Sequence, residues 1–150
     1  MMQLQKEIKI SGFESVFQQA VVNVVFSSGW CNEQIKQILA PYDITNQQFN
    51  ILRILRGQHP VPATINLLKS RMLDKMCDAS RIVDRLVQKG LVIKKINPAD
   101  KRAVDIIISS KGLELLDQMD QELDLSAMVS ANLTEEEAGQ LNELLDKMRG

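Results

Sequence analysis

The sequence predicts a mainly α-helical chain that carries one small β hairpin. Three observations lead there. Apolar residues recur at helical spacing through most of the 150 residues. Ser, Thr, Gly and Pro fall where those runs begin and end. Two short β-branched runs, 91–96 and 103–108, interrupt the helical period around a polar loop. With 45% hydrophobic residues, a chain of this length can bury a core as a single domain, residues 1–150.

The first helix is expected from about residue 13 to 27, where Phe13, Phe17, Ala20, Val21, Val24 and Val25 keep helical spacing. Val16, Val22 and Phe26 occupy its other faces, so this helix is apolar around most of its circumference. Such a helix is covered from more than one side, and in so small a chain a second copy is the expected cover. Ser27-Ser28-Gly29 reads as a break, and a second helix follows from Trp30 to Ala40, presenting Ile35, Ile38 and Leu39 and ended by Pro41. Thr45 and Gln48 form a capping-box signature for a third helix, with Phe49, Leu52 and Leu55 inward and Gly57 past its end. After the loop QHPVP a fourth helix is expected from about Ala63 to Arg71, burying Ile65, Leu68 and Met72.

A turn over Leu73–Met76 leads into a fifth helix. Ala79, Ile82, Val83, Leu86 and Val87 line its inner side, which leaves Ser80, Arg81, Asp84 and Arg85 in water, and Gly90 closes it. The strands Leu91–Ile96 and Ala103–Ile108 come next, with Asp100, Lys101 and Arg102 in the loop between them. Ser109 or Ser110 caps a long helix containing Leu113, Leu116, Met119 and Leu123. A second capping box, Thr134 with Glu137, opens a last helix whose inner face is Leu141, Leu144, Leu145 and Met148. The order is five helices, a hairpin and two helices.

Charge location says more than total charge. The formal net charge is -1, yet Lys69 to Arg102 holds ten Lys and Arg against four Asp, a local +6. Ala103 to the end is at -8, with three cations and eleven acids. A helix that offers cations to solvent, beside a hairpin with a cationic tip, suits a DNA major groove and the minor groove next to it. That arrangement is a winged helix-turn-helix, and the basic block is its electrostatic footprint. The candidate contacts are Lys75, Cys77, Asp78, Ser80, Arg81 and Arg85 around the helix, and Lys95, Asp100, Lys101 and Arg102 in the wing. Arg102 can enter a narrow minor groove, with Asp100 orienting it. Asp78 serves equally well as a helix cap, and Arg85 equally well as the partner of an acid such as Asp84.

Other classes fit poorly. Aromatic residues make up 4% of the chain, too few for a stacking surface that binds single strands. The lone His59 and the distant Cys31 and Cys77 make no metal set, and no nucleophile or acid–base constellation appears. An enzyme, a cofactor and a bound metal are therefore not expected. The start, MMQLQKEIKI, is charged and lacks a signal peptide's apolar core. Ala20–Phe26 falls far short of the roughly 20 residues a membrane helix needs. Two cysteines fit a reducing cytoplasm, where a DNA-bound chain would sit on the nucleoid. Two rival functions also fit the residues. One is a protein-interaction module that keeps the winged helix without binding DNA. The other is a redox sensor in which Cys77 gains thiolate character from a helix N-terminus and from Lys75.

The segments SRIVDRLVQKGLV and NPADKRAVDIIISSKG resemble the recognition helix and wing of the MarR (multiple antibiotic resistance regulator) family. Asp100-x-Arg102, Val104 and Gly112 match its wing pattern, and YDITNQQFNILRIL, residues 42–55, looks like the helix ahead of its helix-turn-helix. The resemblance spans about residues 13–148. It implies a homodimeric transcription factor of bacteria or archaea, most often a repressor at a near-palindromic operator. Residues 45–108 would be the DNA-binding lobe, and 1–40 with 109–150 the dimerisation helices. The pairing residues would then be Phe13, Phe17, Val21, Val24, Leu141 and Leu145. It also implies a crevice for a small aromatic anion, for which Trp30 and Tyr42 are the candidates. One departure stands out: the family's usual Gly-Ile/Val-Ser turn before the recognition helix is replaced by MLDKMCD, with Cys77 where a small serine is expected.

Overall fold

A computed structural model describes all 150 residues. It contains eight α-helices, a short 3-10 turn and two strands, and it divides into two compact units, Met1–Tyr42 and Asp43–Gly150.

The first unit consists of a short helix α1 (Leu4–Glu7), the long helix α2 (Val16–Leu39) and a 3-10 turn at Ala40–Tyr42. Ser15 caps α2 by accepting a hydrogen bond from the Gln18 N–H at 3.1 Å. The expected break at Ser27-Ser28-Gly29 does not occur, and one helix runs through it. A mid-helix glycine costs only about 1 kcal/mol relative to alanine, and the apolar periodicity continues on both sides of it. Leu39 at the C-terminal end of α2 is buried, but several apolar side chains nearer its start are uncovered: Phe17 is 81% exposed and Val25 68%. Pro41 lies within the 3-10 turn, so the α-helix ends at Leu39.

The second unit opens with α3 (Asn46–Gln58), where the Thr45–Gln48 capping box forms as the sequence predicts. Gly57 lies inside the last turn of α3 rather than beyond it. Helix α4 (Ile65–Arg71) follows, capped by Thr64, and then α5 (Ala79–Gln88). Strands β1 (Val92–Ile96) and β2 (Val104–Ile108) pair antiparallel, with Val92 opposite Ile108 and Ile96 opposite Val104. Ala63 adds an isolated antiparallel bridge to Ile106, so the segment before α4 extends the hairpin's sheet. Helix α6 (Ser110–Glu122), the single turn α7 (Ala127–Ser130) and α8 (Glu135–Arg149) complete the chain. Thr134 and Glu137 close the second capping box.

The core of this unit draws on every element that carries the wing. Ile51, Leu52 and Leu55 of α3, Leu68 of α4, Val83 and Leu86 of α5, Ile106 of β2 and Leu116 of α6 are all buried. Burying a side chain of this size contributes about 1.5–3 kcal/mol. The base of the hairpin is fixed onto α6 by polar contacts as well. Ser109 Oγ donates to the Gly90 carbonyl at 2.6 Å and accepts from the Gly112 N–H at 3.0 Å. Gly112 is required there, because a Cβ would come within 2.4 Å of the Leu91 carbonyl oxygen and 2.7 Å of the Ile108 side chain. No helix is long and apolar enough to cross a membrane.

Candidate nucleic-acid interface

Helix α5 is built to show one side. Ala79, Val83 and Leu86 are buried, Ile82 is half-buried, and Val87 lies out at the exposed margin of that stripe. The opposite side carries Ser80, Arg81, Asp84 and Arg85, all exposed. Its start is set by Asp78, whose carboxylate accepts the Arg81 N–H at 3.2 Å. Asp78 is thus the cap, worth about 1 kcal/mol to the helix, and the first helical residue is Ala79.

The acids around this helix are occupied and the arginines are not. Asp84 Oδ1 pairs with Lys94 Nζ of β1 at 2.9 Å, which ties the helix to the hairpin. The expected pairing of Arg85 with Asp84 therefore does not form, because Lys94 occupies that carboxylate. Lys89, at the C-terminal end of α5, donates to Gln48 Oε1 at 3.2 Å and to the Asp43 carbonyl. That contact locks the helix end to the start of α3. Neither Arg81 nor Arg85 takes part in an ion pair.

The wing loop has the same division of labour. Asn97 Oδ1 accepts the N–H groups of Ala99 at 2.8 Å and Asp100 at 3.1 Å, while its amide donates to the Asp105 carboxylate at 3.1 Å. Asp100 accepts the backbone N–H of Arg102 at 3.0 Å. It therefore orients the Arg102 backbone rather than the guanidinium, a correction to the sequence expectation with a simple cause. A side chain two residues back reaches a main-chain N–H more readily than the end of a long arginine. Lys95, Lys101 and Arg102 are exposed and join no ion pair.

The segment before α5 departs from expectation at two residues. Lys75 Nζ donates to the Ser70 carbonyl at 2.6 Å, so it closes the turn instead of flanking the thiol. Cys77 is half-buried, and that burial, with the Asp74 carboxylate adding to it, pushes its thiol above the ordinary range. The thiolate character expected from the helix N-terminus is thus outweighed by desolvation and a nearby negative charge. Cys31 is half-buried in α2.

Of the remaining candidates, Phe13 and Val24 are half-buried and Phe17 and Val21 exposed in the first unit. On α8, Leu141 is exposed and Leu145 half-buried. Trp30 is exposed on α2, and Tyr42 is half-buried in the 3-10 turn. Sequence reasoning missed Asn97 as the organiser of the wing loop and Lys89 as the lock on α5. An Asn at the start of a polar loop, able to accept N–H groups two and three residues further on, is a turn signal that would have found the first.

A helix-turn-helix whose second helix turns unpaired arginines to solvent, with a cation-tipped antiparallel hairpin beside it, is a winged helix-turn-helix of the kind that reads duplex DNA. Known proteins agree. The model of the MarR family matches residues 44–104. The multiple antibiotic resistance protein MarR of Escherichia coli is 34% identical over 116 residues, covering 76% of this chain and 79% of that protein. The crystal structure of a mutant MarR from the same organism, complexed with operator DNA, superposes with a TM-score of 0.72 at 29% identity, covering 98% of this chain and 99% of that one. A MarR-like transcription regulator from Bacillus cereus shares the fold, with a TM-score of 0.77 at 23% identity and 87% and 94% of the two chains covered. This chain belongs to the MarR family of DNA-binding transcription regulators, which are not enzymes.

Proposed function

We propose that the chain acts as a homodimer that binds a near-palindromic operator in duplex DNA and represses transcription there. Each copy contributes α5 to a major groove and its wing to the flanking minor groove, the two helices about 34 Å apart along the duplex. The single observation that carries this reading is the unequal use of charge. Asp78, Asp84 and Asp100 are all consumed by a cap, an ion pair and a turn, while Arg81, Arg85 and Arg102 stand exposed and unpaired. Asp78 and Asp100 keep their charge, but ten Lys and Arg against four Asp over residues 69–102 leave this surface net positive toward a polyanion, with its arginine side chains free to reach it. Lys95 and Lys101 add phosphate contacts, and Ser80 is placed to meet a base edge or a phosphate.

A second copy is the cover for the bare apolar side chains of α2, where Phe17 and Val21 are 81% and 58% exposed. Leu141, Leu144 and Met148 of α8, 43%, 64% and 51% exposed, call for the same cover. Patches of this kind on a small chain mark an association surface. Trp30 and Tyr42 are where a small aromatic anion would act as effector, and the sole tryptophan makes its fluorescence the readout. The chain would work in the cytoplasm, on the nucleoid.

Selection of genomic fragments by the purified chain, followed by mobility shift and the mass of the complex, tests this reading. Two copies per duplex and a dyad-symmetric recovered sequence are the expected result. A monomer in solution, or no fragment recovered at low salt, contradicts it.

A further inference from the structure

The loop that leads into α5 exposes two large apolar side chains, Leu73 at 87% and Met76 at 93%. Its backbone is nevertheless held. The Leu73 N–H donates to Asn50 Oδ1 at 2.9 Å and the Met76 N–H to Asp74 Oδ1 at 3.0 Å. Gln47 donates to the other oxygen of Asp74 at 3.5 Å. The core needs neither side chain, since Met72 just ahead of them is already buried, at 1% exposed. Leaving a methionine bare on a fastened loop forgoes about 1.5–3 kcal/mol of burial, which points to a surface that covers it elsewhere.

The surrounding chain says what kind of surface. Lys69, Arg71, Lys75, Arg81 and Arg85 lie within ten residues on either side, and Met76 stands two residues ahead of the Asp78 cap. In a helix-turn-helix the N-terminal end of the second helix is the end that meets base edges. In the major groove an A·T pair offers one apolar group, the thymine 5-methyl. A long, flexible and polarizable thioether side chain suits contact with a methyl group. We infer that Met76 reads a thymine methyl in each half-site, so that part of the sequence preference is apolar and comes from the turn rather than from the arginines. The inference rests on the DNA-binding reading above.

The test uses the intact chain and the shortest duplex it selects from genomic fragments. That duplex is remade with deoxyuridine in place of each symmetric pair of thymines in turn, which removes the methyl and leaves the base pairing unchanged. Loss of a buried methyl weakens binding about fourfold, so one symmetric pair should cost the native chain about fifteenfold. In Met76→Gln the same replacement should change nothing, while Met76→Leu should restore the sensitivity. Unchanged melting of both variants, expected for so exposed a residue, keeps the comparison clean. A native chain indifferent to every deoxyuridine, or a Met76→Gln chain that is equally sensitive, overturns the inference while leaving salt-dependent DNA binding intact. Failure to select any duplex overturns both.

Discussion

Helices α5 and α2 solve opposite problems. Helix α5 keeps Ala79, Val83 and Leu86 buried and turns Arg81 and Arg85 outward, whereas α2 leaves Phe17, Val21 and Val25 in the open. A helix with a satisfied apolar side and idle charges waits for a polyanion. A helix with an unsatisfied apolar side waits for another apolar surface. The contrast separates what the chain stabilises by itself from what it leaves for partners, and substitutions in each region should separate accordingly.

The largest effect belongs to the scaffold that holds α5 and the wing together. Gly112→Ala puts a Cβ against a backbone carbonyl that cannot yield cheaply, and should cost about 3 kcal/mol of stability by overpacking. A denaturant midpoint equal to that of the native chain would show that the wing base is looser than this contact implies. Phe17→Asp addresses α2: it should weaken self-association by about 2 kcal/mol or more and leave the helix content unchanged. Light scattering across a dilution series checks it, and self-association equal to the native chain's would remove Phe17 from the proposed interface. Arg102→Ala addresses the wing, and should weaken duplex binding about tenfold to hundredfold, in the range of a lost specific side-chain contact of about 1–3 kcal/mol. Its thermal melt should match the native one.

Smaller effects sharpen the contrast. Asp84→Asn breaks the ion pair between Asp84, 56% exposed, and Lys94, 38% exposed, and should lower stability by only about 0.5 kcal/mol. A larger loss would mean that the pair acts as a structural hinge between α5 and the wing. Cys77 should react slowly with iodoacetamide at neutral pH. Its thiol is held above the ordinary range by burial and by Asp74, so the folded chain carries less thiolate at a given pH than the unfolded chain does. The pH midpoint of alkylation should lie higher in the native protein than in denaturant, and a lower midpoint would revive the redox reading.

Much of this was legible in residue order, and the failures have physical causes. Thr45 and Thr134 marked helix starts, and Asp78 and Ser109 did so as one of two readings each, because a short side chain that accepts an N–H is a local signal. The hairpin and the wet arginines of α5 followed from period alone. Gly29 misled because glycine weakens a helix without forbidding it, and the apolar period on both sides prevailed. The Ala63–Ile106 bridge is a long-range pairing with no local signature. The partners of Asp84 and Asp100 were invisible for a related reason: sequence proximity to an arginine does not decide which cation or N–H reaches a carboxylate first.

The most direct measurement is the salt dependence of duplex binding, by fluorescence anisotropy with the selected operator fragment. Log affinity should fall linearly with log salt, by about 0.9 for each phosphate contacted. Replacing a phosphate-contacting cation should make the slope shallower by about 1 per contact in each half-site. An affinity that ignores salt, or a slope unchanged when Arg81, Arg85 and Arg102 are all replaced by alanine, would contradict a DNA interface built on these side chains.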